Sequence, residues 1–135
     1  MLVEMLKSKL HDARITHADV EYEGSLGIDV ELMEGVGFHP YEKVLVANID
    51  NGNRLETYAI PEPFGSRRIS LKGAAARQGS VGDRVIIMSY CMVEESAVRD
   101  GKHKPRILRL DENNDPVRRA PNALAGEEFV STLKA

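Results

Sequence analysis

VLVANIDNGNRLETYAI, residues 44–60, is the stretch from which the fold class is read. Val44 to Ile49 is a short apolar run and Leu55 to Ile60 resumes a pattern of good strand formers. Between them, Asn51-Gly52 is the pair favoured where a tight hairpin turn needs positive φ. The stretch predicts a β-hairpin. Downstream, Pro61, Pro63 and Gly65 punctuate a loop, Arg67 to Leu71 reads as another strand, and Gly82-Asp83 leads into Arg84 to Val93, the longest β-rich run. Upstream, Glu21-Tyr22-Glu23 is expected to be extended, with Gly24-Ser25 at a strand end or tight turn. Helical signals are weaker: Val30 to Glu34 and Glu94 to Asp100 each suit about two turns, and the run Lys72 to Ala76 is too short to decide. Short strands separated by closely spaced turns predict a mostly β fold, a small barrel or sandwich with short flanking helices. The barrel hides its edges better.

The chain has 135 residues, 42% hydrophobic but only 5% aromatic, which suits one compact domain with an aliphatic core. Eighteen Lys plus Arg against 21 Asp plus Glu, a net of -3, create no field to recruit nucleic acid or an anionic membrane. No stretch approaches the roughly 20 apolar residues of a membrane span. The opening MLVEMLKSKL interrupts its apolar residues with Glu4, Lys7 and Lys9, unlike a signal peptide, so a cytoplasmic location is expected. Cys91 is the sole cysteine and is expected to be a buried small hydrophobe; it excludes a disulfide or a cysteine cluster within one chain. Four histidines without close ligand spacing predict no metal site.

In THADVEYEGSLGID, residues 16–29, a serine hydroxyl follows a glycine carbonyl at Gly24-Ser25. Attack of the one on the other would form an ester, normally unfavourably. A glycine at 24 is expected to let a strained turn favour it, through backbone angles barred to other residues and an uncrowded carbonyl. Gly-Ser is also an ordinary turn pair. Lys9 and Arg54 by themselves suit a solvated surface, and Thr57 and Tyr58 are good strand residues without any catalytic reason.

Taken together and in order, Lys9-Leu10-His11, Thr16-His17-Ala18-Asp19, Tyr22-Glu23-Gly24-Ser25, Asn51-Gly52-Asn53-Arg54, Thr57-Tyr58 and Gly73-Ala74-Ala75-Ala76 with Val81-Gly82-Asp83 resemble the bacterial aspartate 1-decarboxylase family, up to about residue 110. The resemblance implies a double-psi β-barrel, residues 1–115, assembled as a homotetramer. It leaves the tail, 116–135, expected to be mobile or ordered only by a neighbouring subunit. It implies an inactive proenzyme that cuts itself between Gly24 and Ser25. The cofactor would then be a pyruvoyl group made from Ser25, able to form a Schiff base with the amine of L-aspartate and to accept electrons as carbon dioxide leaves. The product would be β-alanine, for pantothenate and hence coenzyme A.

By the same likeness Lys9 and Arg54 bind the substrate carboxylates, Thr57 donates to the oxyanion at Gly24, and Tyr58 is the proton donor after decarboxylation. Adjacent strand residues point to opposite faces, so Thr57 and Tyr58 need a twist or bulge to serve one site. His11 and Tyr22 are placed near the site, and Gly73, Ala74 and Ala75 offer backbone groups where bulk would block approach. The family's Asn before this glycine is Lys72 here, a cation with three donors and no acceptor, able to reach the Gly24 carbonyl or a substrate carboxylate or to slow maturation. Ala47 replaces an aromatic residue of some relatives, and Gly27 adds flexibility beside the cleavage point. Two alternatives remain: an uncleaved barrel acting as a binding or regulatory module, and a hydrolase that keeps Ser25 as an N-terminal nucleophile. The resemblance also leaves open an accessory protein for maturation.

Overall fold

The structure, a computed structural model, describes residues 1–117 and 128–129 of the chain. In chain order the elements are β1 (Leu2–Arg14), β2 (His17–Asp19), β3 (Ser25–Asp29), α1 (Val30–Val36), β4 (Lys43–Asn48), β5 (Arg54–Glu62) and β6 (Ile69–Lys72). A 3-10 helix (Gly73–Gln78) follows, then β7 (Arg84–Glu94), α2 (Glu95–Arg99), β8 (Arg106–Leu110), β9 (Pro116–Val117) and β10 (Glu128–Phe129). The fold is mostly β with short flanking helices. The strands are hydrogen-bonded in the order β10-β8-β1-β7-β4-β5-β3-β6-β2, with β9 on β8. Among the described residues no rung joins the two ends of this ladder. One apolar cluster nonetheless gathers Leu108 and Leu10 from one end, Val46 and Ile87 from the middle, and Leu26 and Leu71 from the other. The sheet therefore curls round a single aliphatic core.

The hairpin forms, β4 antiparallel to β5 from Lys43↔Tyr58 to Ala47↔Arg54. Its connection is wider than the expected two-residue turn. Asn48, buried, accepts at Oδ1 from Asp50 N (2.9 Å) and Asn51 N (3.1 Å), which opens the loop to residues 49–53. Gly52 keeps the positive φ of +77°. β1 was not foreseen, because a bulge between Leu6 and Ser8 breaks its alternation; pairing with β7 on one side and β8 on the other extends it.

Other boundaries also move. Pro61, expected in a loop, pairs with Ile28, and β5 ends one residue later. Arg67 has φ +60°, outside the extended region, so β6 starts at Ile69. Glu21-Tyr22-Glu23 is a turn instead of an extended run, because Asp19 Oδ1 takes the Glu21 N–H at 2.9 Å. Cys91 is half-buried, since the β7 residues beyond Ser89 project past the core. Of the tail, Pro116–Val117 pairs with β8 and Glu128–Phe129 lies parallel to it. The expectation for residues 118–127 and 130–135 lies outside the described residues.

Asp29 locks β3, α1 and the 63–68 loop together. Fully buried, it caps α1 through Glu31 N (2.8 Å) and accepts from Gly65 N (2.9 Å) and Arg67 N (2.7 Å). Its second oxygen is paired with Arg67 Nη1 at 3.1 Å. Burial works against the Arg67 charge, yet hydrogen bonds to Asp115, Glu31 and Asp29 outweigh it and raise the guanidinium pKa. Asp29→Ala should cost about 3–5 kcal/mol, as breaking a buried ion pair does, read as a lowered midpoint in urea or thermal melts.

Candidate active site

Ser25 opens β3, all five residues of which are buried, because β5 covers one edge and β6 the other. Ser25 itself is 2% exposed. Opposite it across the ladder stands Lys72, which also faces Asp19 of β2, so β6 is held between the strands that flank the Gly24-Ser25 bond. The turn 20–24 joins those two strands.

The glycine that geometry demands is Gly73, not Gly24. Gly24 lies outside the left-handed region, and a Cβ there would meet only Lys72 O at 3.8 Å, an ordinary contact. Gly73 has φ +68°, and a Cβ on it would lie 2.6 Å from Gly24 Cα, 2.7 Å from Gly24 N and 2.8 Å from Tyr22 O. The backbone preceding the serine is thus seated directly against Gly73.

A cavity of about 270 Å³ opens at this bond, lined by Gly24, Ser25, Leu55, Thr57, Ala74 and Ala75, with Glu56 and Gln78 completing it. The start of the 3-10 helix supplies a wall of methyl groups, and β5 supplies the Thr57 hydroxyl. Among the described residues no cation lines the cavity.

Thr57 and Tyr58 do part to opposite faces, for the β4–β5 register passes through both without a bulge. Leu55 and Ala59 share Thr57's inward side. Arg54, Glu56 and Tyr58 share the outward side and are exposed. Lys9 stands on that outward face too. It pairs with Met88, Met88 with Leu45, and Leu45 with Glu56, and directly paired residues share a face. Ala47 belongs there as well, between Arg54 and Ile86. Tyr58 sits beside Tyr41, ring centroids 6.2 Å apart. His11, half-buried, lies 3.9 Å from Asp12 and pairs with Arg109 of β8. Within one chain, then, Gly24, Ser25, Thr57, Ala74 and Ala75 meet in the cavity. Lys9, Arg54 and Tyr58 gather on the sheet's outer surface.

Lys72 turns its ammonium away from the serine cavity. Nζ is 3.3 Å from Glu62 Oε2 and 5.1 Å from the centroid of the Tyr22 ring, and with both partners it lines a second cavity of about 560 Å³. Glu62, overlooked in a Pro-Glu-Pro context that reads as loop, is 9% exposed and lies over Gly27. A Cβ at Gly27 would overlap that carboxylate, so Gly27 provides room, not flexibility. Among the described residues no group of three or more His, Cys, Asp or Glu side chains is placed to hold a metal ion.

The Aspartate decarboxylase family profile matches residues 1–117. The chain is 51% identical to an Aspartate 1-decarboxylase of Coprothermobacter proteolyticus, over 85% of this chain and 92% of that one. It is 50% identical to those of Salinibacter ruber, over 85% and 77%, and Chlorobium limicola, over 88% and 91%. A mostly β chain matched over residues 1–117 by one family profile, and 50–51% identical to these relatives, defines a decarboxylase. The chain belongs to the aspartate decarboxylase family.

Proposed function

We infer that this chain is a lyase that converts L-aspartate to β-alanine and carbon dioxide, after cleaving itself between Gly24 and Ser25. The observation that carries the reading is the buried Ser25, sharing a small cavity with Thr57, Ala74 and Ala75 in a chain matched along residues 1–117 by its family. In maturation Ser25 Oγ bonds to the Gly24 carbonyl carbon as the peptide C–N bond breaks, giving an ester. Elimination then breaks the Oγ–Cβ bond and leaves Gly24 as a carboxylate. Hydrolysis of the dehydroalanine releases ammonia and leaves a pyruvoyl group on the long chain. Thr57, on the same cavity, is the donor for the oxyanion at Gly24.

The small walls at Ala74 and Ala75 leave room for that group and for a small amino acid beside it, which supports the fit. It supplies a carbonyl that takes the substrate amine and an electron sink for the departing carbon dioxide. A dicarboxylate substrate needs cations, and none is among the described residues lining one chain's cavity. Assembly answers this: in a homotetramer the outer face of one copy, carrying Lys9, Arg54 and Tyr58, covers the cavity mouth of another. Arg54 and Lys9 then bind carboxylates, and Tyr58 returns a proton. His11 and Tyr22 support the site, and Gly73 seats Gly24. No described helix is long and apolar enough to cross a membrane, and a cytoplasmic location is part of the reading. Family membership gives no support to an uncleaved binding module.

Intact mass of tag-free protein under denaturing conditions tests the reading. Two species are expected, residues 1–24 and a 25–135 chain beginning with pyruvoyl, with β-alanine formed from aspartate. A full-length mass persisting through prolonged warm incubation would overturn it, and a long chain that keeps an N-terminal serine would indicate a hydrolase instead.

A further inference from the structure

Glu62 is unusual for a carboxylate in this fold. It is 9% exposed, at the end of β5, and its Oε2 makes no hydrogen bond among the described residues. What it has is the Lys72 ammonium at 3.3 Å, itself on a side chain only 19% exposed, with the more distant Arg68 Nε at 4.0 Å on its other oxygen. Such a pair is shielded from water far better than a surface ion pair, so its partners are strongly coupled. The same ammonium lies over the ring of Tyr22, two residues before the scissile carbonyl. Meanwhile the Lys72 backbone pairs with Ser25 and Asp19, and Gly73 packs on Gly24. Carboxylate, ammonium and ring form a strut running from β5 across β6 to the turn 20–24.

We propose that Glu62, seated over Gly27, is a positioning residue for self-cleavage: it holds the Lys72 ammonium against Tyr22 and so pins the scissile turn onto β6. This rests on the self-processing reading above. Without the carboxylate the ammonium is free to leave the ring, and the turn loses its only described side-chain tie from β5. Gly27 belongs to the device, because a methyl group there would displace the carboxylate without removing its charge.

The test follows conversion of the full-length chain to the 25–135 species by intact mass for the unaltered chain, Glu62→Gln, Lys72→Met and the double variant. Glu62→Gln should slow cleavage at least about tenfold, as small misplacements of reacting groups do. The double variant should be no slower than the slower single, the mark of one coupled unit. In parallel, hydrogen exchange is measured with Ser25→Ala as background, where no chain can be cut. There Glu62→Gln should speed exchange of amides 20–24 while those of β7, which report global opening, stay unchanged. Cleavage by Glu62→Gln within about twofold of the unaltered chain, additive losses, or unchanged 20–24 amides would each overturn the strut. If the unaltered chain never cleaves, the decarboxylase reading falls, while the exchange experiment still decides whether Glu62 pins the turn.

Discussion

Ser25→Ala is expected to yield a single chain of full-length mass whose aspartate decarboxylase activity lies at least about a thousandfold below the unaltered enzyme, the loss of both nucleophile and precursor of the cofactor. The substitution removes only Oγ. The site is 2% exposed at the head of a strand in which every residue is buried, and alanine fits the space serine leaves. Folding should survive, with a thermal midpoint close to that of the unprocessed parent, so lost activity would report chemistry and not collapse. Turnover by a chain shown by mass to be intact would refute the mechanism.

Gly73→Ala is the second. The new methyl would sit 2.6 Å from Gly24 Cα and 2.8 Å from Tyr22 O, and the backbone at +68° is one that alanine resists. The left-handed conformation costs about 1–2 kcal/mol and the overpacking about 1–3 more. More damaging for function, the clash is relieved most directly by moving Gly24, whose carbonyl must meet Ser25 Oγ. Cleavage should slow by about a hundredfold, the usual penalty for a displacement near 1 Å. Gly52→Ala is the control, since Gly52 shares a positive φ of +77° but a Cβ there would meet nothing within 4 Å. That variant should lose stability by the backbone component alone and mature at the ordinary rate. Equal cleavage rates for the two variants would show that the contact with Gly24 is immaterial.

The site was only partly legible in the sequence. Gly24, Ser25, Thr57, Ala74 and Ala75 were all named from segment order, and they line one cavity. The reason given for glycine at 24 was misplaced: a Gly-Ser pair draws attention to its own glycine, whereas the strained one lies 49 positions on, at Gly73, where β6 delivers it. Glu62 was invisible because its importance comes from contacts with Gly27 and Lys72, which sequence distance conceals. Lys72 was recognised as a departure, but its direction was not foreseen. An unpaired cation next to the bond looks free to reach the Gly24 carbonyl; a buried carboxylate on β5, on the far side of β3, draws it elsewhere.

Alternating runs and turn residues determined, by themselves, that this is a mostly β protein with a hairpin between Val44 and Ile60, because local backbone preference and period-two burial are properties of short segments. Segment order determined the family. Tertiary structure alone decided that β1 is a strand, since its bulged pattern becomes extended only between β7 and β8. It alone decided that Thr57 faces the core while Lys9, Arg54 and Tyr58 face outward, since facing depends on which side of a curled sheet the core occupies. Strand period can say that neighbours 57 and 58 part company; only the packed sheet says which of them meets the serine.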